Sequence, residues 1–428
     1  MAEESYQDRL DGAYELLATA PEKAYAEIME LYREDPTYSR MLSILGACCM
    51  HGWGTKPDRE RAMQYYAESV KDGSPAAEYI YATELESERD PACVRWYEAA
   101  AQQGNGHAAY SLANLYNKGT LVEKDAGLWQ KWLEKAAEAE NRDAMYELGV
   151  AYLQGTLDTG TPARNDALGC QWTKKAAEAG DATAMYNMSI VCRTGTGMES
   201  DSDAAFAWAV KAFENGMPRG AAEAAMNKEF CGRCYLETGK MGAKAALEQY
   251  ETAQTWAEKY LAGDIEDAAE RQSAEELRRD ILLGSGSALH ALGEYDRALT
   301  VLSPLAQRGN PYALLLCGCC YAHRFMRGND PQDLAFARST LRVLDDGIDL
   351  GEERFKWEYT MRPLADGVIM YTAILRLGNA SHAPDVTHAH DLLARYAASV
   401  KHDNVRAYLY EELKKYQPKM FGGYRYAG

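Results

Sequence analysis

The feature that most limits what this chain can become is a recurring pattern at a spacing of a few tens of residues, the signature of stacked identical units. An aromatic inside a helical run recurs as Tyr65, Trp96, Trp132, Trp172 and Trp208, at separations of 31, 36, 40 and 36 residues. Four positions after each comes a small residue, Ser69, Ala100, Ala136, Ala176 and Ala212. An offset of four puts both on one helix face, large beside small, so a neighbouring helix can approach closely.

The helix boundaries repeat as well. Eight positions after the aromatic stands Gly73, Gly104, Gly180 or Gly216, with Glu140 in the remaining unit. Glycine just past a periodic segment supplies the left-handed residue that stops a helix. Seven positions before the aromatic stands Asp58, Asp125, Asn165 or Asp201. The second unit has Arg89 there, followed by Asp90. Aspartate and asparagine side chains accept from the first free amides of a helix, so this segment reads as a capped second helix.

A first helix precedes it in every unit, marked by Leu45-Gly46, Tyr81-Ala82, Leu112-Ala113, Leu148-Gly149 and Met188-Ser189. Seven residues beyond the large member come Gly52, Gly119, Gly155 and Gly195, again as stops, with Glu88 in the shortest unit. Each unit is therefore helix, short loop, helix. Its apolar face cannot be buried alone, so the units must stack. No segment shows sustained period-two alternation, which predicts almost no strand.

Segments such as Ala144–Gly155 followed by Trp172–Gly180 closely resemble the Sel-1-like repeat, a variant of the tetratricopeptide repeat with longer internal loops. The stretch from Thr156 to Asn165, with Gly160 and Pro162, fits as a loop insertion. The resemblance covers residues 38–220 and implies an all-α, right-handed superhelical α-solenoid of helix-turn-helix repeats. Residues 1–37 read as an N-terminal helical cap and residues 221–350 as looser tetratricopeptide-like or Sel-1-like repeats. The latter include the turn Ala288–Ala298 and the first-helix pattern Leu316–Tyr321. Residues 351–416 read as a C-terminal cap and residues 417–428 as a flexible tail.

Composition narrows the function. Acidic residues outnumber basic ones 64 to 46, a net charge of −18, so the average surface repels phosphate backbones and anionic headgroups. Nucleic acid and membrane are not expected partners. The start has neither a basic n-region nor an apolar h-region, and no apolar run nears the roughly 20 residues a bilayer requires. The expected location is the cytoplasm. Of the ten cysteines, Cys48, Cys49, Cys317, Cys319 and Cys320 fall in apolar helical stretches, and Cys93, Cys170 and Cys192 keep no fixed spacing; all read as core hydrophobes. Some cysteine-rich bacterial relatives carry a bridged pair in each repeat, and this sequence lacks that pairing.

Constellations that could carry chemistry have simpler readings. Gly195-Thr-Gly197 lacks a preceding strand and a third glycine, so it is a repeat loop rather than a phosphate cradle. Cys231-Gly-Arg-Cys234 has no second ligand pair for zinc. His382, His388 and His390 cluster near Asp385 and Asp391, but on a helix His388 and His390 point about 200° apart. No serine or cysteine sits in a nucleophile signature, and neighbouring acids such as Glu411-Glu412 diverge along a helix. No catalytic residue, metal or cofactor is predicted.

Partner residues should recur on the outward face of the first helices. One stripe there holds Ile44, Ala47 and His51, then Ile80, Thr83 and Ser87, then Ser111, Asn114 and Lys118. It continues as Glu147, Val150 and Gln154, then Asn187, Ile190 and Thr194, while Tyr116 and Tyr152 beside it read as core. Asn114, Lys118, Glu147, Gln154 and Asn187 are the candidate groove residues, suited to hydrogen-bonding the backbone of an extended segment. In the tail, Phe421, Tyr424, Arg425 and Tyr426 are candidate anchors for another protein or for the chain's own acidic body. The resemblance implies a non-enzymatic scaffold or adaptor for a protein or peptide partner. A hydrolase or a small-ligand sensor on the same scaffold is the alternative.

Overall fold

The computed structural model describes residues 5–156, 164–237, 242–348, 358–377, 384–400, 403–418 and 424–427. The chain divides into two compact lobes, residues 1–200 and 201–428. The architecture is an all-α solenoid in which helices pack mainly on their sequence neighbours.

The first lobe runs α1 (Tyr6–Leu16), α2 (Pro21–Glu34), α3 (Ser39–His51), α4 (Arg59–Ser69), α5 (Pro75–Ser87) and α6 (Cys93–Gln102). It continues α7 (Gly106–Lys118), α8 (Ala126–Glu138), α9 (Arg142–Gln154), α10 (Asp166–Glu178) and α11 (Ala182–Thr194). The expected caps form. Asp58 accepts from the Arg61 amide, Asp125 from Leu128 and Asn165 from Leu168, at 2.9–3.1 Å. Gly52, Gly119, Gly155 and Gly195 all close first helices in the left-handed conformation. Two residues without glycine's freedom take the same conformation: Glu140 at φ 58° and Arg89 at φ 60°. The third unit therefore keeps the turn despite its substitution, and in the shortest unit the turn moves one residue on from Glu88.

The large-small contacts fit tightly. Ser69, Ala100, Ala136 and Ala176 have 0% exposure. A Cβ at Gly46 would lie 2.6 Å from the Tyr66 ring, and one at Gly149 2.6 Å from Thr173 Oγ1. Enlarging such positions forces helices apart, at about 1–3 kcal/mol. Tyr116 and Tyr152, expected in the core, are half-buried. Tyr152 donates its phenol to Glu134 Oε1 at 3.4 Å, keeping its polar tip at the surface while the ring packs.

The second lobe comprises α12 (Ser202–Glu214), α13 (Arg219–Glu237), α14 (Ala243–Leu261), α15 (Ala268–Leu292), α16 (Tyr295–Gln307) and α17 (Pro311–Gly328). Then follow α18 (Pro331–Leu341), α19 (Val343–Asp346), α20 (Glu358–Leu377), α21 (Val386–Ser399) and α22 (Asp403–Leu413). Tyr250 on α14, 1% exposed, lies against Gly232 of α13 and Gly284 of α15, where added Cβ atoms would come within 3.0 and 2.2 Å of its ring. The glycine of Cys231-Gly-Arg-Cys234 thus makes room for a tyrosine. Near the end of the chain β1 (Tyr416–Pro418) pairs antiparallel with β2 (Tyr424–Tyr426), Tyr416 opposite Tyr426. This short pair of three-residue strands is in keeping with the expectation of almost no strand. Among the described residues, no helix is long and apolar enough to cross a membrane.

The loop glycines differ in what surrounds them, and this is measurable. A Cβ at Gly54 would lie 2.0 Å from the Pro21 carbonyl oxygen, and one at Gly197 2.1 Å from that of Asp166; Gly73 has nothing within 4 Å. All three have φ near 72°. Gly54→Ala and Gly197→Ala should each destabilise by about 2–4 kcal/mol, because backbone must move as well as strain be absorbed. Gly73→Ala should cost only about 1 kcal/mol for the conformation itself. Urea unfolding of the three variants checks the order.

Candidate functional site

Tyrosines stand beside the stripe on the first helices. The Tyr97 phenol of α6 donates to Glu86 on α5 at 2.7 Å and contacts Thr83 at 3.3 Å, with Ser111 of α7 nearby. Tyr110 of α7 stands close enough to Glu147 on α9 and to Asn114 on its own helix for both to act on its phenol. Burial first, and then the nearby Glu147 charge, push the Tyr110 phenol above its usual range, so it stays a donor at neutral pH. Two predicted residues from successive repeats, Asn114 and Glu147, thus both neighbour Tyr110. That tyrosine was not predicted, although Tyr110 and Asn114 stand four apart on one helix face.

Beside these residues lies a cavity of about 410 Å³. Its walls include all three stripe positions of the fourth repeat, Glu147, Val150 and Gln154, together with Asn117, Lys124 and Trp129. The hydrogen-bonding amides of Asn117 and Gln154, the Glu147 carboxylate and the apolar surfaces of Trp129 and Val150 make it amphipathic. The Trp129 indole N–H is buried without a hydrogen-bond partner. Lys118 stands exposed in the last turn of α7 and Asn187 is half-buried on α11; neither lines this cavity. Asn117, Lys124 and Trp129 lie outside the stripe in sequence, and only the packing of α7 and α9 on α8 brings them to it.

In the second lobe, the tail residues pack on their own chain. The Tyr424 ring stacks on His390 of α21 with centroids 3.4 Å apart. Tyr426 lies under the Arg376 guanidinium of α20, 3.6 Å from its centroid, and donates to Glu412 Oε1 of α22 at 2.9 Å. Arg425 is exposed and donates to Gln417 Oε1 at 2.9 and 3.1 Å. Phe421 lies outside the described residues, as does His382. His388 and His390 turn to different carboxylates, Asp345 at 2.8 Å and Asp391 at 2.9 Å.

Eight of the ten cysteines are buried core residues, while Cys231 is half-buried and Cys234 exposed. Burial pushes the Cys48 and Cys93 thiols up to about 11 and Cys317 to about 12, so none is a nucleophile at neutral pH. Another unusual group is His290 on α15, 9% exposed, whose Nε2 lacks a hydrogen-bond partner and whose ring neighbours Tyr295 and His323. Burial, then the charge of His323, hold its pKa down to about 4.

A family model described as Sel1 repeat matches residues 41–74, 77–105, 106–141, 142–181 and 182–217, each spanning one helix pair. No curated protein matches the chain at a significant level. Among solved structures it is similar to a Sel1 repeat protein from Oxalobacter formigenes, at 19% identity over 63% of this chain and 96% of that one, with a TM-score of 0.41. It is also similar to a protective antigen present in uropathogenic Escherichia coli strains that displays an SLR fold, at 19% identity over 96% and 88% of the two chains, TM-score 0.48. An immunity protein from Pseudomonas aeruginosa is similar at 16% identity over 48% and 81%, TM-score 0.33.

Two measurements follow from the second lobe. His290 binds its proton less readily in the folded state than the ordinary value of 6.5. The folded chain therefore keeps full stability above pH 6.5 and loses it as the pH falls from there towards 4, by roughly 3 kcal/mol in all. His290→Leu should flatten that part of the pH dependence of urea unfolding. Truncation after Pro418 removes the Tyr426 contacts with Arg376 and Glu412 and should lower the stability of the second lobe by about 2 kcal/mol. An unchanged unfolding midpoint would show that the hairpin adds nothing.

Proposed function

Residues 41–217 belong to the Sel1 repeat family, and from that premise we propose that the chain is a non-enzymatic scaffold or adaptor. It holds a protein or peptide partner in the concave groove lined by the first helices of its repeats. The observation that carries this reading is the amphipathic cavity in which Glu147, Val150 and Gln154 meet, with Tyr110 of the preceding repeat near Glu147. An extended segment has an unpaired amide and carbonyl at nearly every residue, and side-chain amides such as those of Asn114 and Gln154 can satisfy either. Lys118 and Asn187 extend the same stripe towards the neighbouring repeats.

The surface charge favours a protein over nucleic acid or an anionic membrane, since a net −18 repels both of the latter. Free cysteines held in the core fit a reducing, cytoplasmic setting. In this reading Tyr424 and Tyr426 hold the tail against α20, α21 and α22, and Arg425, exposed on the hairpin, is the part of the tail that meets a partner.

The test is affinity capture from lysate of the source cells, with the full chain and with the pair Asn114→Ala and Glu147→Ala. One protein should be recovered in stoichiometric amount and lost at least tenfold, about 1.4 kcal/mol, with the double variant. Undiminished recovery with that variant and with Asn187→Ala would remove the groove from the proposal.

A further inference from the structure

We infer that the cavity between α8 and α9 seats a basic side chain, lysine or arginine, from an extended segment of the partner. This rests on the reading of the first-helix stripe as the partner site, and it names the residue that the site selects.

The cavity is polar at two ends and apolar between. Glu147 and Gln154 are seven residues apart on α9, about 10 Å along the helix axis. Lys124 precedes α8 and Thr156 follows α9, and consecutive helices in this lobe run antiparallel through short loops. The lysine therefore belongs to the Gln154 and Thr156 end, and Glu147 to the other. Between them Trp129, Val150 and Ala151 supply apolar walls. A lysine or arginine side chain has the same order, a methylene stem followed by a cationic head. Its stem would lie on Val150 and Ala151, its head beside the Glu147 carboxylate, with the Trp129 ring available to a cation. At about 410 Å³ the cavity sits at the small end of ligand pockets, the size for one long side chain with its flanking backbone rather than for a cofactor.

Glu147 decides the sign of the selection because it is the fixed charge. It is half-buried on the rigid helix α9 and lines the cavity directly, so its carboxylate faces whatever enters. Lys124 is exposed in a loop, where solvent and salt screen its charge. Beyond the cavity, a net charge of −18 draws cationic segments and repels acidic ones.

A random peptide library displayed on phage, selected on the purified full chain and on three variants, tests this. The wild type should enrich peptides with lysine or arginine at one fixed position, and Glu147→Gln should abolish that preference and weaken the selected peptides at least tenfold. Glu147→Lys should turn the preference to aspartate or glutamate, and Lys124→Ala should leave it basic. Circular dichroism melts of each variant confirm folding, and the Lys124 variant serves as a second probe should a Glu147 variant be unstable. Peptides enriched without a basic position, or with a basic preference that Glu147→Gln leaves intact, overturn the inference while the groove keeps its partner role. An acidic preference that depends on Lys124 overturns it too. Enrichment of nothing overturns both the inference and the groove.

Discussion

Close contact between helices through small residues is the constraint on which this structure depends. A helix pair has an apolar side it cannot cover, and stacking covers it only where backbones come near enough to exclude water. Ser69, Ala100, Ala136 and Ala176, all with 0% exposure, and the glycines Gly46 and Gly149 are where that approach happens. The second lobe uses the same device with another residue: Gly232 and Gly284 admit the Tyr250 ring between three long helices. At Gly46, Gly232 and Gly284 a tyrosine ring occupies the space that the missing side chain leaves.

Turn residues then set how each helix pair follows the last. Most turns use glycine in the left-handed region, but Glu140 and Arg89 hold the same geometry at a conformational cost of about 1 kcal/mol each. Their presence indicates that stacking supplies enough stabilisation to impose the turn on a less suitable residue. Gly54 and Gly197 are a different case. Each packs on a carbonyl in the first turn of an earlier helix, so the loop itself is part of the packing.

The proposed groove site takes its spacing from this scaffold. Glu147 and Asn114 sit on separate first helices, and their relation is set by the spacing of the repeats. Tyr110 stands near Glu147 of the next repeat, and Tyr97 ties α6 to α5 within one repeat through its hydrogen bond to Glu86. Stacked helices thus hold the Glu147 charge at a defined position, which the proposed selection between partners would require.

From the sequence alone came the repeat boundaries, the caps, the stop residues and the outward stripe. All are local consequences of helical periodicity and of what Asp, Asn and Gly do to a backbone within a few residues. The all-α class and the membership of residues 41–217 in a Sel1 array were legible for the same reason. Only the tertiary structure decided which stripe residues meet. It joined Glu147 and Gln154 to Trp129 and Lys124, left Lys118 and Asn187 outside their cavity, and folded Tyr424 and Tyr426 onto α20, α21 and α22. These contacts link residues on different helices, or on a strand and a helix. Their distances depend on how elements pack in space, which no periodicity along the chain records.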